Sequence, residues 1–66
     1  MKSEWVEAKD LKKGDTVHWD GALSSVLGRI FEIDEKRDGV RTIRVEPPGT
    51  NTRTLNPSDK VEVLLP

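Results

Sequence analysis

Apolar residues in this chain recur at every second position in short runs, and glycine, proline and aspartate separate the runs. That period belongs to half-buried β-strands rather than to helices. In Glu4 to Ala8, Val6 and Ala8 share one face while Trp5 and Glu7 share the other. Lys9 to Asp15 then suits a turn in which Leu11 points back into the core and Gly14 takes the left-handed backbone geometry that costs other residues. Thr16 to Trp19 sets Val17 and Trp19 on one side and Thr16 and His18 on the other, and Asp20-Gly21 is a strong turn dipeptide. The loop continues through Ala22-Leu23-Ser24-Ser25.

Val26 to Asp34 is the longest strand candidate, and its apolar residues change parity along the way. Val26, Gly28 and Ile30 form one set, and Leu27, Phe31 and Ile33 the other. The change predicts a bulge or strong bend near Phe31-Glu32, and an interior glycine such as Gly28 marks close approach of another backbone. After the polar loop Glu35 to Gly39, Val40 to Glu46 is predicted to return as the second strand of an antiparallel hairpin, with Ile43 and Val45 inward and Thr42 and Arg44 outward. Pro47-Pro48-Gly49 ends pairing, because proline has no ladder donor. Thr52 to Leu55 is a short strand, Asn56-Pro57-Ser58-Asp59 has the cap and proline of a single helical turn, and Lys60 to Leu65 alternates again, with Val61, Val63 and Leu65 on one face. The expected fold is a single all-β domain over residues 1–66: a small, partly open barrel of five or six strands with one 3-10 turn before the last strand.

A strand, a helical turn and a closing strand after a three-strand meander resemble the Src-homology-3-like (SH3-like) small barrels. Gly14-Asp15-x-Val17, then Gly21, then Gly28-x-Ile30-x-x-Ile33 is similar to the KOW motif of ribosomal and transcription-elongation proteins, over about a third of the chain. In the loop where KOW segments carry basic residues this chain reads Ala22-Leu23-Ser24-Ser25-Val26-Leu27. The KOW likeness implies binding to RNA or DNA. The opening V-x-A-x-D-L-K-x-G-D at Val6 to Asp15 and the close N-P-S-D-K-V-E-V-L at Asn56 to Leu64 resemble short proteins of actinobacteria and their phages, which implies an accessory role in an actinobacterium or its phage and no particular activity.

Composition narrows the physics. At 66 residues a third of which are apolar, the core must be small, and without cysteine neither a disulfide nor a thiolate zinc site can supplement it. Packing alone must then supply the stability, no more than about 3–5 kcal/mol. Eleven basic and twelve acidic side chains leave a net charge of -1, interspersed along the chain. Such a balance argues against sequence-independent binding to phosphates, though not against a local basic patch. The first ten residues hold no continuous apolar run, so a soluble, cytoplasmic protein is expected, with no membrane contact.

Candidate chemistry is sparse. His18 stands alone without cysteine, Ser24-Ser25 has no base placed beside it, and Asp15, Asp20, Asp34 and Asp38 lie next to turns whose amides they can cap. No phosphate loop, dinucleotide fingerprint or calcium loop occurs. No enzyme activity, cofactor, metal or small-molecule substrate is therefore expected. Trp19 shares parity with Val17 and is expected in the core. Trp5 lies on the opposite face from Val6, where Phe31 and Leu64 can join it, either as a second minicore over the barrel's open end or as an exposed patch for a protein partner or self-association. Arg29, Arg41, Arg44 and Arg53 fall in or near the central hairpin; converging, they would form a nucleic-acid face, and otherwise they pair with Glu32, Asp34, Glu46 and Glu62. The expected function is noncatalytic binding of a protein through Trp5, Phe31 and Leu64, with KOW-like nucleic-acid binding through the four arginines as the alternative.

Overall fold

The computed structural model describes residues 2–21, 24–46 and 51–66, so the expectations for Ala22-Leu23 and for Pro47-Pro48-Gly49 lie outside the described residues. Six strands follow the alternation: β1 Ser3–Glu7, β2 Thr16–Asp20, β3 Ser25–Glu35, β4 Arg41–Val45, β5 Thr52–Leu55 and β6 Lys60–Leu64. All pair antiparallel in one unclosed sheet of order β1-β6-β2-β3-β4-β5. The protein is therefore all-β and resembles a small barrel left open along one seam.

The inner face gathers Val17 from β2, Ile30 from β3, Ile43 and Val45 from β4, Leu55 from β5, and Val61 and Val63 from β6. Residues from nearly opposite ends of the strand order share this one cluster, so the sheet must curl over its own inner face. The curl has a local cause. At 11 residues β3 is the longest strand, and its register with β4 shifts between Ile30, opposite Val45, and Glu32, opposite Arg44. Phe31 is the extra residue, and a bulge of this kind bends a strand and sharpens its twist. Ahead of it Gly28 allows the end of β4 to come close: a Cβ at this position would press on the Glu46 carbonyl oxygen and lie 2.7 Å from Val45 Cγ1.

Between β1 and β2 the chain folds under the barrel. Ala8–Asp10 is a 3-10 helix, and Ala8 and Leu11 are both buried in the core. Gly14 then adopts a φ of 96°, and its N–H donates to the Ile30 carbonyl at 2.9 Å, tying the turn to β3. Before the last strand, Asn56–Asp59 is a tight turn closed by the i→i+3 bond from Asp59 N–H to Asn56 O (3.0 Å). The Asp59 carboxylate also accepts from Asn56 N–H (2.9 Å), and Lys12–Asp15 repeats both bonds with Asp15 in that role. Arg41 seals this end of the barrel: its Nη1 donates to the carbonyls of Ala8 and Leu11, each at 2.8 Å, and its buried Nε lies 3.1 Å from Glu35 without hydrogen-bond alignment.

Candidate outer-face binding site

Cross-strand register fixes which side chains share the outer face of β1, β6, β2 and β3. Trp5 opposes Glu62, Glu62 opposes His18, and His18 opposes Leu27, so these four form a single row across four strands. One row toward the β6 C-terminus stand Ser3, Leu64, Thr16 and Arg29. On the other side Glu7 opposes Lys60, and Asp20 opposes Ser25. Trp5 is 65% exposed and Leu27 59%, making them the two most exposed large apolar residues described, and they stand at opposite ends of the row.

The middle of the row is polar and held in place. His18 Nδ1 lies 3.0 Å from Glu62 Oε1; because a carboxylate only accepts, this nitrogen carries the proton. Ser3 Oγ donates to Glu62 Oε2 at 2.8 Å. The Ser3 hydroxyl, with the His18 ring beside it, holds the Glu62 carboxyl below the ordinary carboxylate range. Because the folded-state value is depressed, the stabilisation from this group is present at neutral pH and is lost as pH falls through the acid range. Urea titrations should therefore show the gap between the wild type and Glu62→Gln shrinking toward zero as pH drops below that range. A gap independent of pH would contradict the linkage.

Two grooves flank the row. One, of about 530 Å³, is lined by Gly14, Thr16, Leu27, Leu64, Leu65 and Pro66 among others. The second, of about 290 Å³, lies between Trp5, His18, Trp19, Asp20, Arg53 and Lys60. In this second groove the Arg53 guanidinium lies over the ring of the half-buried Trp19, 5.5 Å from its centroid, a cation–π contact. Trp19 thus packs between the core and Arg53, while Trp5 faces solvent.

The structure places the sequence-derived residues as follows. Trp5 and Leu64 share the outer face in adjacent rows, and Phe31, 37% exposed, sits at the bulge. Phe31 lies four residues beyond Leu27 along β3, so Leu27 and not Phe31 shares the Trp5 row. The arginines spread over the molecule: Arg29 lies 3.5 Å from Glu46, Arg44 is held by Glu32 and Asp34, Arg41 points inward, and Arg53 lies over Trp19. Leu27 is the residue sequence reasoning left out of the site, although its shared parity with Phe31 was the signal.

Among the described residues no group of three or more His, Cys, Asp or Glu could hold a metal ion, and no helix is long and apolar enough to cross a membrane. No protein-family model matches the chain, and neither does any curated protein or solved structure.

Proposed function

We propose that this protein is a noncatalytic, SH3-like interaction module that binds another protein through the outer face of β1, β6, β2 and β3. The observation that carries the reading is the exposure of Trp5 and Leu27 at the two ends of one ordered row, with Leu64 beside them. Tryptophan is a favoured anchor in protein interfaces, and an apolar patch with a polar centre fits a contact that must remain soluble when unoccupied. The SH3-like assignment draws support from the β2-β3-β4-β5 meander with β6 returning beside β2. An accessory protein working in the cytoplasm, encoded by an actinobacterium or its phage, fits the resemblance in the opening and closing segments.

The nucleic-acid reading has less to stand on, since Arg44 and Arg29 are engaged by carboxylates and Arg41 by backbone carbonyls. Trp5→Ser separates the readings. It should change stability by no more than about 0.5 kcal/mol, as surface substitutions do, and should abolish cross-linking to a protein partner. Lost stability with association intact would overturn the assignment. A mobility shift of RNA or DNA at low salt, unaffected by Trp5→Ser and lost on Arg44→Ala, would favour the arginines instead.

A further inference from the structure

The outer-face row is complementary to itself, and we infer that the occupant of this face is a second copy of the chain. The inference rests on the protein-binding reading above and names the partner. In order across β1, β6, β2 and β3 the row reads apolar, acidic, basic or neutral imidazole, apolar: Trp5, Glu62, His18, Leu27. A two-fold axis lying between two such faces, parallel to the strands and midway between β6 and β2, reverses that order in the second copy. Trp5 of each chain then falls on Leu27 of the other, and Glu62 of each falls on His18 of the other. Residue i contacts j, and j contacts i, as a closed two-fold interface requires.

The neighbouring positions obey the same operation. Lys60 on β6 comes to lie over Asp20 on β2 of the other copy, opposite charges again, and Leu64 comes over the Thr16 methyl group. None of these superpositions sets like charges against each other. The arrangement also gives the indole a seat: Leu27, Thr16 and Leu64 line the groove of about 530 Å³, so the Trp5 ring arriving over Leu27 lands at its mouth.

Edge pairing, the other route to a dimer of sheets, is opposed by β1 itself. Glu4 opposes the core residue Val63, which turns it to the inner side of this edge strand, and it is exposed there. An inward-pointing charge on an edge strand is a known guard against pairing. Face-to-face packing leaves that guard undisturbed.

The face is small. Four strands about 4.8 Å apart and five residues about 3.4 Å each span roughly 14 by 17 Å, well below the ~800 Å² per partner of a standard interface. The dimer is accordingly of the weak, transient class.

Complementation tests the geometry. Sedimentation equilibrium of the wild type should show a monomer–dimer equilibrium, and Trp5→Lys and Leu27→Asp should each weaken self-association roughly tenfold or more. Circular dichroism checks that each variant remains folded, as the exposure of both sites allows. Mixed in equal amounts, the two variants should recover association near the wild-type level. In the mixed dimer one contact pairs the introduced lysine with the introduced aspartate, and the other restores the original tryptophan and leucine. A wild type that stays monomeric at the top of the concentration range overturns the inference, and so does a folded mixture that fails to associate. If the wild type is monomeric but Trp5→Ser still loses a different protein partner, the homodimer falls and the protein-binding reading stands. If dimers form and neither substitution weakens them, the copies meet through another surface and the homodimer inference falls, while the protein-binding reading is decided by the cross-linking of Trp5→Ser.

Discussion

Replacing Gly28 by alanine is expected to remove most of the stability of this domain, and replacing it by valine to leave the chain unfolded. The backbone at this position is not in the left-handed region, so the requirement for glycine is one of space alone. A Cβ would run into the Glu46 carbonyl oxygen and the Val45 side chain. Neither is the far end of a flexible side chain that can swing away: one is a backbone oxygen and the other a methyl of the buried, β-branched Val45. Both sit on the segment leaving β4, where Glu46 N–H donates to the Arg29 carbonyl at 3.0 Å and Val45 N–H to the Asn51 carbonyl at 2.9 Å. Relief must shift that backbone and strain both bonds, along with the Ile30–Val45 pair. Overpacking costs about 1–3 kcal/mol, sometimes more, against a total of about 3–5 kcal/mol for a domain of this size. Gly14 provides the contrast. Nothing lies within 4 Å of its missing Cβ, but its φ is 96°, so alanine there costs only the conformational penalty of about 1–2 kcal/mol, and asparagine less. Urea unfolding should rank Gly28→Ala as more damaging than Gly14→Ala; the reverse order would show that the end of β4 can yield.

Both glycines could be read from the sequence, for different reasons. Gly14 precedes an aspartate between a turn and a strand, and Gly28 interrupts a run of β-branched and aliphatic residues where only a backbone contact explains the lack of a side chain. The parity change from Ile30 to Ile33 gave away the bulge at Phe31, since alternation can switch faces within a paired strand only by inserting a residue. Less was visible where a residue breaks its own pattern. Arg41 has the same parity as Ile43 and Val45 and so faces inward, yet an arginine on a strand of a charged protein reads as surface. Its reason for being inside is a pair of carbonyls 30 and 33 residues earlier, and no local pattern encodes that distance.

The outer face was half legible. Alternation assigned Trp5 and Leu64 to the side away from the core, and pairing puts them there. What alternation cannot supply is strand order. Trp5 and Leu27 belong to one row only because β6 and β2 intervene between β1 and β3, and that order is set by long-range closure of the sheet. The arginines illustrate the same limit: spacing grouped four of them near one hairpin, whereas the curl of the sheet turned two to the inner side and left the other two beside carboxylates.

Arg41 yields the second large effect. Its guanidinium bridges the carbonyls of Ala8, the first residue of the 3-10 helix, and of Leu11 just after it, and its side chain is only 16% exposed. Ala8 and Leu11 are themselves buried, so those carbonyls have little access to replacement water. Arg41→Met keeps much of the apolar stem and removes both bonds. A single hydrogen bond to a charged group contributes about 1.5–3 kcal/mol, and with two lost the variant should retain little of its cooperative unfolding transition. Lysine at this position should be intermediate, because it keeps the charge and its donors, but its ammonium ends a shorter stem and lacks the fixed N–H directions by which Nη1 meets both carbonyls. The pairing with Glu35 is a smaller matter, since that carboxylate is 59% exposed and largely screened. Amide exchange distinguishes a local from a global loss. Leu11 N–H donates to Ala8 O at 3.2 Å within the segment that Arg41 holds down, so in Arg41→Lys its protection should fall further than that of Val17 or Ile43 in the strands. Equal losses at all three would mean that Arg41 supports the whole sheet and not the turn beneath it.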